Sequence, residues 1–468
     1  MKNKNITNIL LIRPAPAKEQ FGDESFMPLG LAYIAAVLEK EGYKVKVLDL
    51  LIQKKTEQEF FKVIDEFKPD VAAFTAVTPV IKSAFKAAEI IKSRYENIIT
   101  IIGGPHASAL PDECLGNHFD FVVSGEGEET IIDLLENIED PSRVRSIVFK
   151  KDGKIIRTQE RPFISDLDSL PFPARHLFPP LSMYKGQEAL GSLNPVASIL
   201  TSRGCPYACK FCFKAVFGNK FRPRTAENIL KEWMHLVNDL KAKEIAVVDD
   251  SFTTDISRVH DICDGIIKAK VKTRWSCPNG IRVDLGGYEM LKKMKNAGCY
   301  RVALGIESGS QKILDSIGKK ISLEQITDTV KNCRRVGIKT MGFYMLGNLE
   351  ETEETMEETI KFAVKTGTDY AQFLIAMPYP GTMLYEEIKK NGKLYINDWD
   401  QYGQYEGTAC FEYGKLNPKL LSKMSKKAGR DYYLNPAYIA KQILNVETYK
   451  FLPQRIKAAL RVFFKWLF

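Results

Sequence analysis

Short apolar runs alternate with amphipathic segments along the first third of the chain. The runs have the length of buried strands and read NILLIRP, YKVKVLDL, VAAFTAV, IITIIGG and FDFVVSG. The intervening segments, such as LGLAYIAAVLEKEG and EQEFFKVIDEF, repeat apolar residues at the spacing of one helix face. This β-α-β order predicts an α/β fold with a doubly wound, Rossmann-like parallel sheet over residues 1–145.

A second series of strands and helices begins near residue 195. Its apolar runs read ASILTSRG, EIAVVDDS, TRWSCPNG, YRVALGIE, KTMGFYML and YAQFLIAMP, and helical segments separate them. Six consecutive βα units predict a partial (β/α)6 TIM-like barrel over residues 191–400. In such barrels the functional residues lie at the carboxyl ends of the strands.

Two further segments flank the barrel. Residues 146–190 contain a predicted hairpin, with Asp152-Gly153 as its turn, followed by a proline-rich stretch that we interpret as a linker. Residues 401–468 form a predicted, mainly helical C-terminal region.

Composition limits the classes of partner and compartment. The chain has 468 residues, 45% of them hydrophobic, which is enough for several globular domains. The net charge of +9 is spread along the chain, so nucleic acid is not an expected partner. The first residues run directly into a strand and do not resemble a signal peptide. We therefore expect a cytoplasmic protein whose nine cysteines are reduced.

Three of the cysteines lie together directly after the first barrel strand. Cys205, Cys209 and Cys212 are separated by three and two residues. Iron–sulfur clusters ordinarily take four thiolates, so three thiolates imply a distant fourth cysteine or an iron left open for another ligand. A structural zinc loop is the alternative, but no Cys or His occurs among the twenty residues after Cys212.

The C-x3-C-x-aromatic-C pattern after the first strand of a partial barrel resembles the radical S-adenosylmethionine (SAM) superfamily. The resemblance implies a 4Fe-4S cluster whose open iron binds SAM, and an electron transfer that cleaves SAM to a 5′-deoxyadenosyl radical. Later strand ends, at DDSF, GIESG, LGN and PYPG, follow the order of the family's SAM contacts. Each alone is more often a loop cap than a ligand contact. The implied SAM-binding residues are Phe211, Asp249, Asp250, Glu307, Ser308, Gly347 and Pro380.

The N-terminal domain resembles the cobalamin-binding domain that is fused to many radical SAM enzymes. The matching motifs are GGPHA at residues 103–107 and VSGEGE at residues 123–128. The implied cobalamin-binding residues are Thr75, Thr78, Gly103, Gly104, His106, Ser124, Gly125 and Glu126. No D-x-H-x-x-G motif is present, so we expect cobalamin without a histidine ligand. Axial ligation by His106 and a domain that binds nothing are the alternatives.

By this resemblance, the expected activity is cobalamin-dependent methylation of an unactivated carbon. One SAM would methylate cobalamin and a second would supply the radical. Cyclisation or rearrangement is the first alternative, and a cobalamin or redox sensor without turnover is the second. The expected partners are a small-molecule or lipid-like substrate and an electron donor such as flavodoxin or ferredoxin.

The final segment, FLPQRIKAALRVFFKWLF, predicts an amphipathic helix. Lys457, Arg461 and Lys465 recur at helical spacing along one face, and apolar and aromatic residues occupy the other. It is too short and too charged to span a bilayer. We expect it to lie peripherally on an anionic membrane. Packing on the protein is the alternative.

Overall fold

A computed structural model describes residues 6–16, 26–187, 190–395, 398–402 and 409–443. The first domain contains one seven-stranded sheet in the order β2-β1-β3-β4-β5-β6-β7. Its strands are β1 (Asn8–Arg13), β2 (Lys44–Asp49), β3 (Val71–Thr75), β4 (Ile99–Gly103), β5 (Phe121–Val123), β6 (Ile147–Lys151) and β7 (Lys154–Arg157). The first five strands are parallel, which confirms the predicted doubly wound sheet.

Helices cover both faces of this sheet because its strands are apolar at successive positions. In β1, Ile9 and Leu11 join the core on one face, and Leu10 and Ile12 join the core on the other. The helices of this domain are α1 (Leu29–Lys40), α2 (Leu50–Gln53), α3 (Glu57–Phe67), α4 (Ile81–Arg94), α5 (Pro105–Ala109), α6 (Pro111–Leu115) and α7 (Glu128–Glu136). Helices α1 and α7 pack on the first face, and α3, α4 and α6 pack on the second.

The predicted hairpin is the edge of this sheet. Strand β6 pairs antiparallel with β5, with Val148 opposite Val122, and β7 pairs antiparallel with β6. Phe149 is buried in the core on the α1 side. The boundary predicted at residue 145 therefore separates two strands that the structure joins, because pairing with β5 buries the apolar side of the hairpin.

The second sheet contains six parallel strands in chain order, as predicted for a partial (β/α)6 barrel. They are β8 (Val196–Ile199), β11 (Glu244–Val247), β12 (Arg274–Ile281), β13 (Cys299–Glu307), β14 (Lys339–Leu346) and β15 (Tyr370–Ile375). A short antiparallel pair, β9 (Ser202–Arg203) and β10 (Arg222–Pro223), follows β8. The helices of this domain are α8 (Ala226–Asn238), α9 (Ile256–Lys268), α10 (Tyr288–Asn296), α11 (Gln311–Ser316), α12 (Leu323–Val336), α13 (Glu353–Thr366) and α14 (Met383–Asn391).

The core of the second domain lies between these strands and helices. Trp233 of α8 meets Trp275 of β12 edge to face, with 5.9 Å between ring centroids. Capping residues fix the helix ends. Ser322 and Gln325 form a reciprocal capping box at the start of α12, and Gly337 ends that helix in the left-handed conformation, with φ 78°.

The C-terminal region packs against both domains. It contains the antiparallel pair β16 (Lys393–Leu394) and β17 (Phe411–Glu412), and the helices α15 (Pro418–Tyr433) and α16 (Pro436–Ile443). Helix α15 packs on α13 and β15, whereas Trp399 contacts the first domain. In the described residues, no helix is both long and apolar enough to cross a bilayer. The predicted amphipathic helix at 451–468 lies outside those residues.

Candidate functional site

A cavity of about 590 Å³ lies between the carboxyl ends of the first sheet and the cysteine loop. The first domain contributes Gly30, Leu31, Ile34, Thr75, Gly103, Gly104, Gly125 and Glu126 to its lining. The second domain contributes Cys205, Cys212, Phe213, Lys214, Phe217 and Asp250. The glycine-rich motifs of the first domain and the cysteine loop of the second therefore face the same cavity. Its volume is within the range of ligand and cofactor sites.

The cysteine loop is held closely against the barrel. Gly204 has φ 78°, and a Cβ atom there would lie 2.2 Å from the carbonyl oxygen of Lys220, so only glycine fits. The Lys210 amide donates to the Ile317 carbonyl at 3.1 Å, and the Lys210 carbonyl accepts from the Leu384 amide at 3.1 Å. These bonds tie the loop to residues that follow β13 and β15.

Two thiols of this loop have raised pKa values. Partial desolvation, with the nearby Cys209 and Asp250, raises the pKa of Cys212 to about 11, and partial desolvation also raises the pKa of Cys209. Across the described ranges, no group of three Cys, His, Asp or Glu side chains has the geometry for one metal ion. That result is compatible with a cluster, in which each cysteine binds a different iron.

Glu307 forms an ion pair that the sequence motifs did not indicate. Oε1 of Glu307 lies 2.7 Å from Nζ of Lys319, and Lys319 is only 8% exposed. The backbone of Glu307 is left-handed, with φ 64°. Burial lowers the pKa of Lys319, but Glu307 more than compensates and the net pKa is raised, so the ammonium stays charged beside Cys209. Because Lys319 lies beyond the strand-end motif, spacing alone could not identify it.

The two adjacent aspartates have different surroundings. Asp249 is buried and accepts hydrogen bonds from the Thr201 amide at 2.6 Å and the Ser202 hydroxyl at 2.6 Å. It therefore holds the end of β8 and has little capacity left for SAM. Asp250 lines the cavity, and partial desolvation there, together with Asp249, raises its pKa. Asp250 is the one of the pair that is placed to contact a ligand.

Six of the seven predicted SAM contacts lie outside the cavity lining, Asp249 and Glu307 among them. Ser308 is buried and bonds to the Thr359 hydroxyl at 3.0 Å, so its side chain supports α13. Gly347 and Pro380 are buried. Phe211 borders a separate cleft of about 10 Å³, which has room for a water molecule only.

Three of the eight predicted cobalamin residues also lie outside the lining. Ser124 is half-buried, and its amide donates to the Ser146 carbonyl at 3.0 Å. Thr78 is buried with His106, whose Nδ1 lies 3.2 Å from the Thr78 hydroxyl and whose Nε2 lies 3.3 Å from Glu113 Oε2. Protein groups therefore contact both ring nitrogens of His106. This arrangement favours the expectation that cobalamin binds without a histidine ligand.

The predicted cobalamin contact Glu126 reaches the cavity but is occupied by arginines. Its carboxylate lies 2.8 Å from Nη1 of Arg203 and 2.9 Å from Nη1 of Arg222. Thr75, Gly103, Gly104 and Gly125, which are also among the predicted cobalamin contacts, line the cavity. The arginines were not identified from the sequence, although Arg203 directly precedes the cysteine motif.

Two family models match the chain, one over each domain. The model described as the B12 binding domain matches residues 24–135. The model described as the radical SAM superfamily matches residues 199–363.

Similar proteins include enzymes named as methyltransferases. An uncharacterised methyltransferase of Pyrococcus horikoshii is 35% identical over 447 residues, which cover 94% of each chain. The cytidylyl-2-hydroxyethylphosphonate methyltransferase of Streptomyces wedmorensis is 30% identical, and the match covers 78% of each chain.

Solved structures share the fold at low sequence identity. The radical SAM methyltransferase TsrM from Kitasatospora setae, with cobalamin and a [4Fe-4S] cluster bound, matches with a TM-score of 0.70 and 18% identity over 92% of this chain and 90% of that one. The cobalamin-dependent radical SAM enzyme OxsB matches with a TM-score of 0.75 and 18% identity over 98% of this chain and 72% of that one. Together with the family models and the close relative, these findings show that the chain belongs to the radical SAM enzymes with a B12-binding domain, whose cofactors are a 4Fe-4S cluster, SAM and cobalamin.

Proposed function

We propose that this enzyme methylates an unactivated carbon and that the cavity between its two domains is where the transfer takes place. The observation that carries the proposal is the shared lining, in which Gly103, Gly104 and Gly125 of the first domain lie across one space from Cys205 and Cys212. When bound, the cluster supplies the electron that cleaves SAM, and cobalamin supplies the methyl group. The chain's own residues bind and orient these groups.

The first domain accommodates cobalamin chiefly through small residues. Gly104 has φ 97°, and a Cβ atom there would lie 2.8 Å from the Thr75 hydroxyl, so the glycine lets the chain turn closely beneath the cavity. Gly103 and Gly125 likewise leave their backbones open to a broad ligand. The lining is predominantly apolar, which suits the face of a macrocycle and excludes water.

The second domain holds the cluster and SAM. Cys205, Cys209 and Cys212 supply the thiolates. Asp250 would accept hydrogen bonds from an amino group bound at the cavity. The Glu307–Lys319 pair, which lies off the cavity lining, offers one anionic and one cationic group beside Cys209. These are the opposite charges that the amino and carboxylate groups of SAM require. Phe211 borders a small cleft together with Asn348, which directly follows Gly347.

The names of the relatives favour methylation over the alternative of cyclisation. Two methyltransferases match at 35% and 30% identity, whereas an anaerobic magnesium-protoporphyrin IX monomethyl ester cyclase of Rubrivivax gelatinosus matches at 26% over 93% of this chain. Cyclisation is one of the outcomes that the experiment below distinguishes.

The test is an incubation of the reconstituted enzyme with SAM labelled in its methyl hydrogens, reductant, cobalamin and a metabolite extract. We expect a labelled extract component, with 5′-deoxyadenosine and S-adenosylhomocysteine formed alongside. The Cys212→Ala variant is the control and should give neither 5′-deoxyadenosine nor the labelled component. 5′-Deoxyadenosine with an unlabelled product would support cyclisation or rearrangement, and no 5′-deoxyadenosine at all would support a sensor.

We further propose the environment in which the enzyme operates. The substrate is a small or lipid-like molecule, and the electron comes from a flavodoxin- or ferredoxin-type donor in the cytoplasm. Peripheral contact with the inner face of the membrane rests on the basic and aromatic sequence of residues 451–468.

A further inference from the structure

Four buried charged side chains join the first domain to the segment that carries the cysteines. We call Glu126, Glu128, Arg203 and Arg222 the Glu–Arg network. Nη1 of Arg203 donates to Glu126 at 2.8 Å, and its Nη2 donates to Glu128 at 2.6 Å. Nη1 of Arg222 lies 2.9 Å from both carboxylate oxygens of Glu126. All four side chains are buried.

The two arginines stand at the two ends of the cysteine loop. Arg203 comes two residues before Cys205, and Arg222 follows the loop on its return. They are direct partners in the β9–β10 pair. Any displacement of the two arginines relative to the first domain would therefore move both ends of the loop together.

Aromatic rings and backbone groups hold the guanidinium groups in place. The Arg203 guanidinium lies 5.1 Å from the ring centroid of Tyr33 on α1 and 5.1 Å from that of Phe217 in the loop. The Arg222 guanidinium lies 5.0 Å from the ring of Phe163 and donates to the Ile164 carbonyl at 2.6 Å. A planar guanidinium that makes two separate charge-assisted bonds permits little change in position.

The charges of the network balance, with two carboxylates facing two guanidinium groups. Burial alone would lower the pKa of Arg203, but Glu128 and Glu126 raise it, so the group stays charged. A buried ion pair adds little net stability compared with apolar packing, because removing both charges from water costs free energy. Such pairs are better suited to fixing one arrangement of two domains than to adding stability.

The network also lies beside the cavity. Gly125, Glu126, Gly127 and Glu128 line it from the first domain, and the loop between the arginines lines it from the second. We propose that the four charged residues of the Glu–Arg network are positioning residues that hold the cluster-bearing loop at a fixed separation from cobalamin. This inference rests on the proposed binding of both cofactors at the shared cavity.

The test measures that separation by electron spin relaxation. Protein loaded with cluster and cobalamin is reduced so that both centres are paramagnetic, with SAM omitted so that no turnover occurs. In the wild type, the cluster should accelerate the relaxation of the cobalt signal relative to the cluster-free Cys212→Ala variant. Glu126→Gln and Glu128→Gln keep the side-chain shape but remove one charge, and each should lose most of that acceleration. Iron content and bound cobalamin are measured on the same samples.

A matched control exists elsewhere in the chain. Glu244 is also a buried carboxylate, and it accepts hydrogen bonds from the Leu193 amide at 2.9 Å and the Tyr300 hydroxyl at 2.9 Å. It stands at the start of β11, at the opposite end of the strand from the cysteine loop, and does not line the cavity. Glu244→Gln should therefore retain the wild-type relaxation although it too removes a buried charge. If Glu128→Gln fails to fold, the double variant Glu128→Gln/Arg203→Gln leaves Glu126 and Arg222 as a balanced pair and should show the same loss.

Wild-type relaxation in any folded network variant that binds both cofactors would overturn the positioning role. Equal loss in Glu244→Gln would also overturn it, because the effect would then follow from general destabilisation. If the wild type itself shows no acceleration, the shared cavity of the proposed function is contradicted instead.

Discussion

At the scale of single residues, Glu351 shows how a strand-end turn can stabilise one protonation state. Its Oε2 accepts hydrogen bonds from the amides of Gly347 at 2.5 Å and Asn348 at 2.9 Å. Its Oε1 is buried and has no hydrogen-bond partner within the described part of the chain. Burial outweighs the two backbone bonds and raises the pKa of Glu351 to about 7.

This pKa predicts a specific pH dependence of stability. Between the unfolded value near 4.3 and about 7, the folded protein keeps a proton that the unfolded chain has lost. Its free energy of unfolding should therefore fall as the pH rises through that window, by an amount on the order of 3 kcal/mol, and level off above it. Glu351→Gln is neutral in both states and should lose this slope in urea unfolding between pH 5 and 8. The exposed neighbour Glu350 provides the control, since Glu350→Gln should keep it. An identical slope in Glu351→Gln and wild type would contradict the assignment.

The cysteine loop gives a second prediction at this scale. Cys205→Ala, Cys209→Ala and Cys212→Ala should each lose most of the roughly four irons of the reconstituted cluster and all cleavage of SAM, because a cluster with an open iron has no spare thiolate. Iron analysis and 5′-deoxyadenosine assay measure the two effects. Cys114→Ala is the matched control, since Cys114 is buried in the first domain and should leave both unchanged. Full cleavage in any of the three loop variants would remove the cluster assignment.

The sequence was informative where the spacing between residues determines which ligand they can bind. The three cysteines are spaced as an iron–sulfur cluster loop requires and lack the nearby fourth ligand of a zinc site. Asp249 and Asp250, by contrast, are equivalent in the sequence, and only the direction of each side chain separates the one that bonds to Thr201 from the one on the cavity. Lys319 and Arg203 act through partners distant in sequence, so no local pattern could identify them.

At the scale of elements, periodicity predicted the strands, but not everything that pairs with them. Apolar alternation located β1 to β5 and all six barrel strands, because burial on one or both faces leaves a clear pattern. The β6–β7 hairpin was predicted as well, but not its place at the edge of the first sheet. That pairing depends on a contact between Val122 and Val148, and a local pattern cannot specify a distant partner.

Helix α5 supplies a test of the role of His106. The His106 ring contacts Thr78 and Glu113, and it meets the Trp399 ring edge to face with 5.2 Å between the ring centroids. The Trp399 indole also donates a hydrogen bond to Glu113 at 2.6 Å. We expect His106→Ala to lower the free energy of unfolding by about 2 kcal/mol, because it removes two buried hydrogen bonds and leaves a cavity. The visible spectrum of bound cobalamin should not change.

Trp399→Phe is the matched control for His106. It breaks the same group of contacts without removing an imidazole, so it should also destabilise the protein and leave the spectrum unchanged. A spectral shift in His106→Ala alone would restore His106 as a cobalt ligand.

At the scale of the whole molecule, the site exists only because two domains meet. Each half of the cavity lining comes from a different domain, and the carboxyl ends of the first sheet face the cysteine loop across it. The sequence predicted both sheets but not the surface between them. The contacts that bring them together, such as Arg203 with Glu126, depend on side chains whose neighbours in sequence carry no periodic signal.

Gly30 on α1 offers a way to fill this cavity without disturbing the fold. A Cβ atom at Gly30 would meet nothing within 4 Å, and the residue lies on the cavity lining. Gly30→Trp should therefore occlude the space and lower cobalamin affinity at least tenfold, which corresponds to about 1.4 kcal/mol. Gly30→Ala adds only a methyl group, improves helix propensity and should bind normally. Titration followed by absorbance measures both, and equal affinity for the two variants would place cobalamin elsewhere.

The attachment of the whole enzyme to a membrane is a prediction from sequence alone, since residues 451–468 lie outside the described part of the chain. Lys457, Arg461 and Lys465 should each contribute about 1 kcal/mol of attraction to an anionic surface, in addition to burial of the aromatic residues. Full-length protein should therefore sediment with anionic liposomes at low salt and be released at high salt. Deleting 451–468 should abolish sedimentation but preserve SAM cleavage, because every candidate cluster and SAM residue precedes residue 381. Changing the three basic residues to Gln separates the effect of charge from that of apolar burial. This change should remove the salt-sensitive part of the binding to liposomes. A full-length protein that stays in the supernatant at low salt would assign the segment to packing on the protein, and the lipid-like class of substrate would lose its support in the sequence.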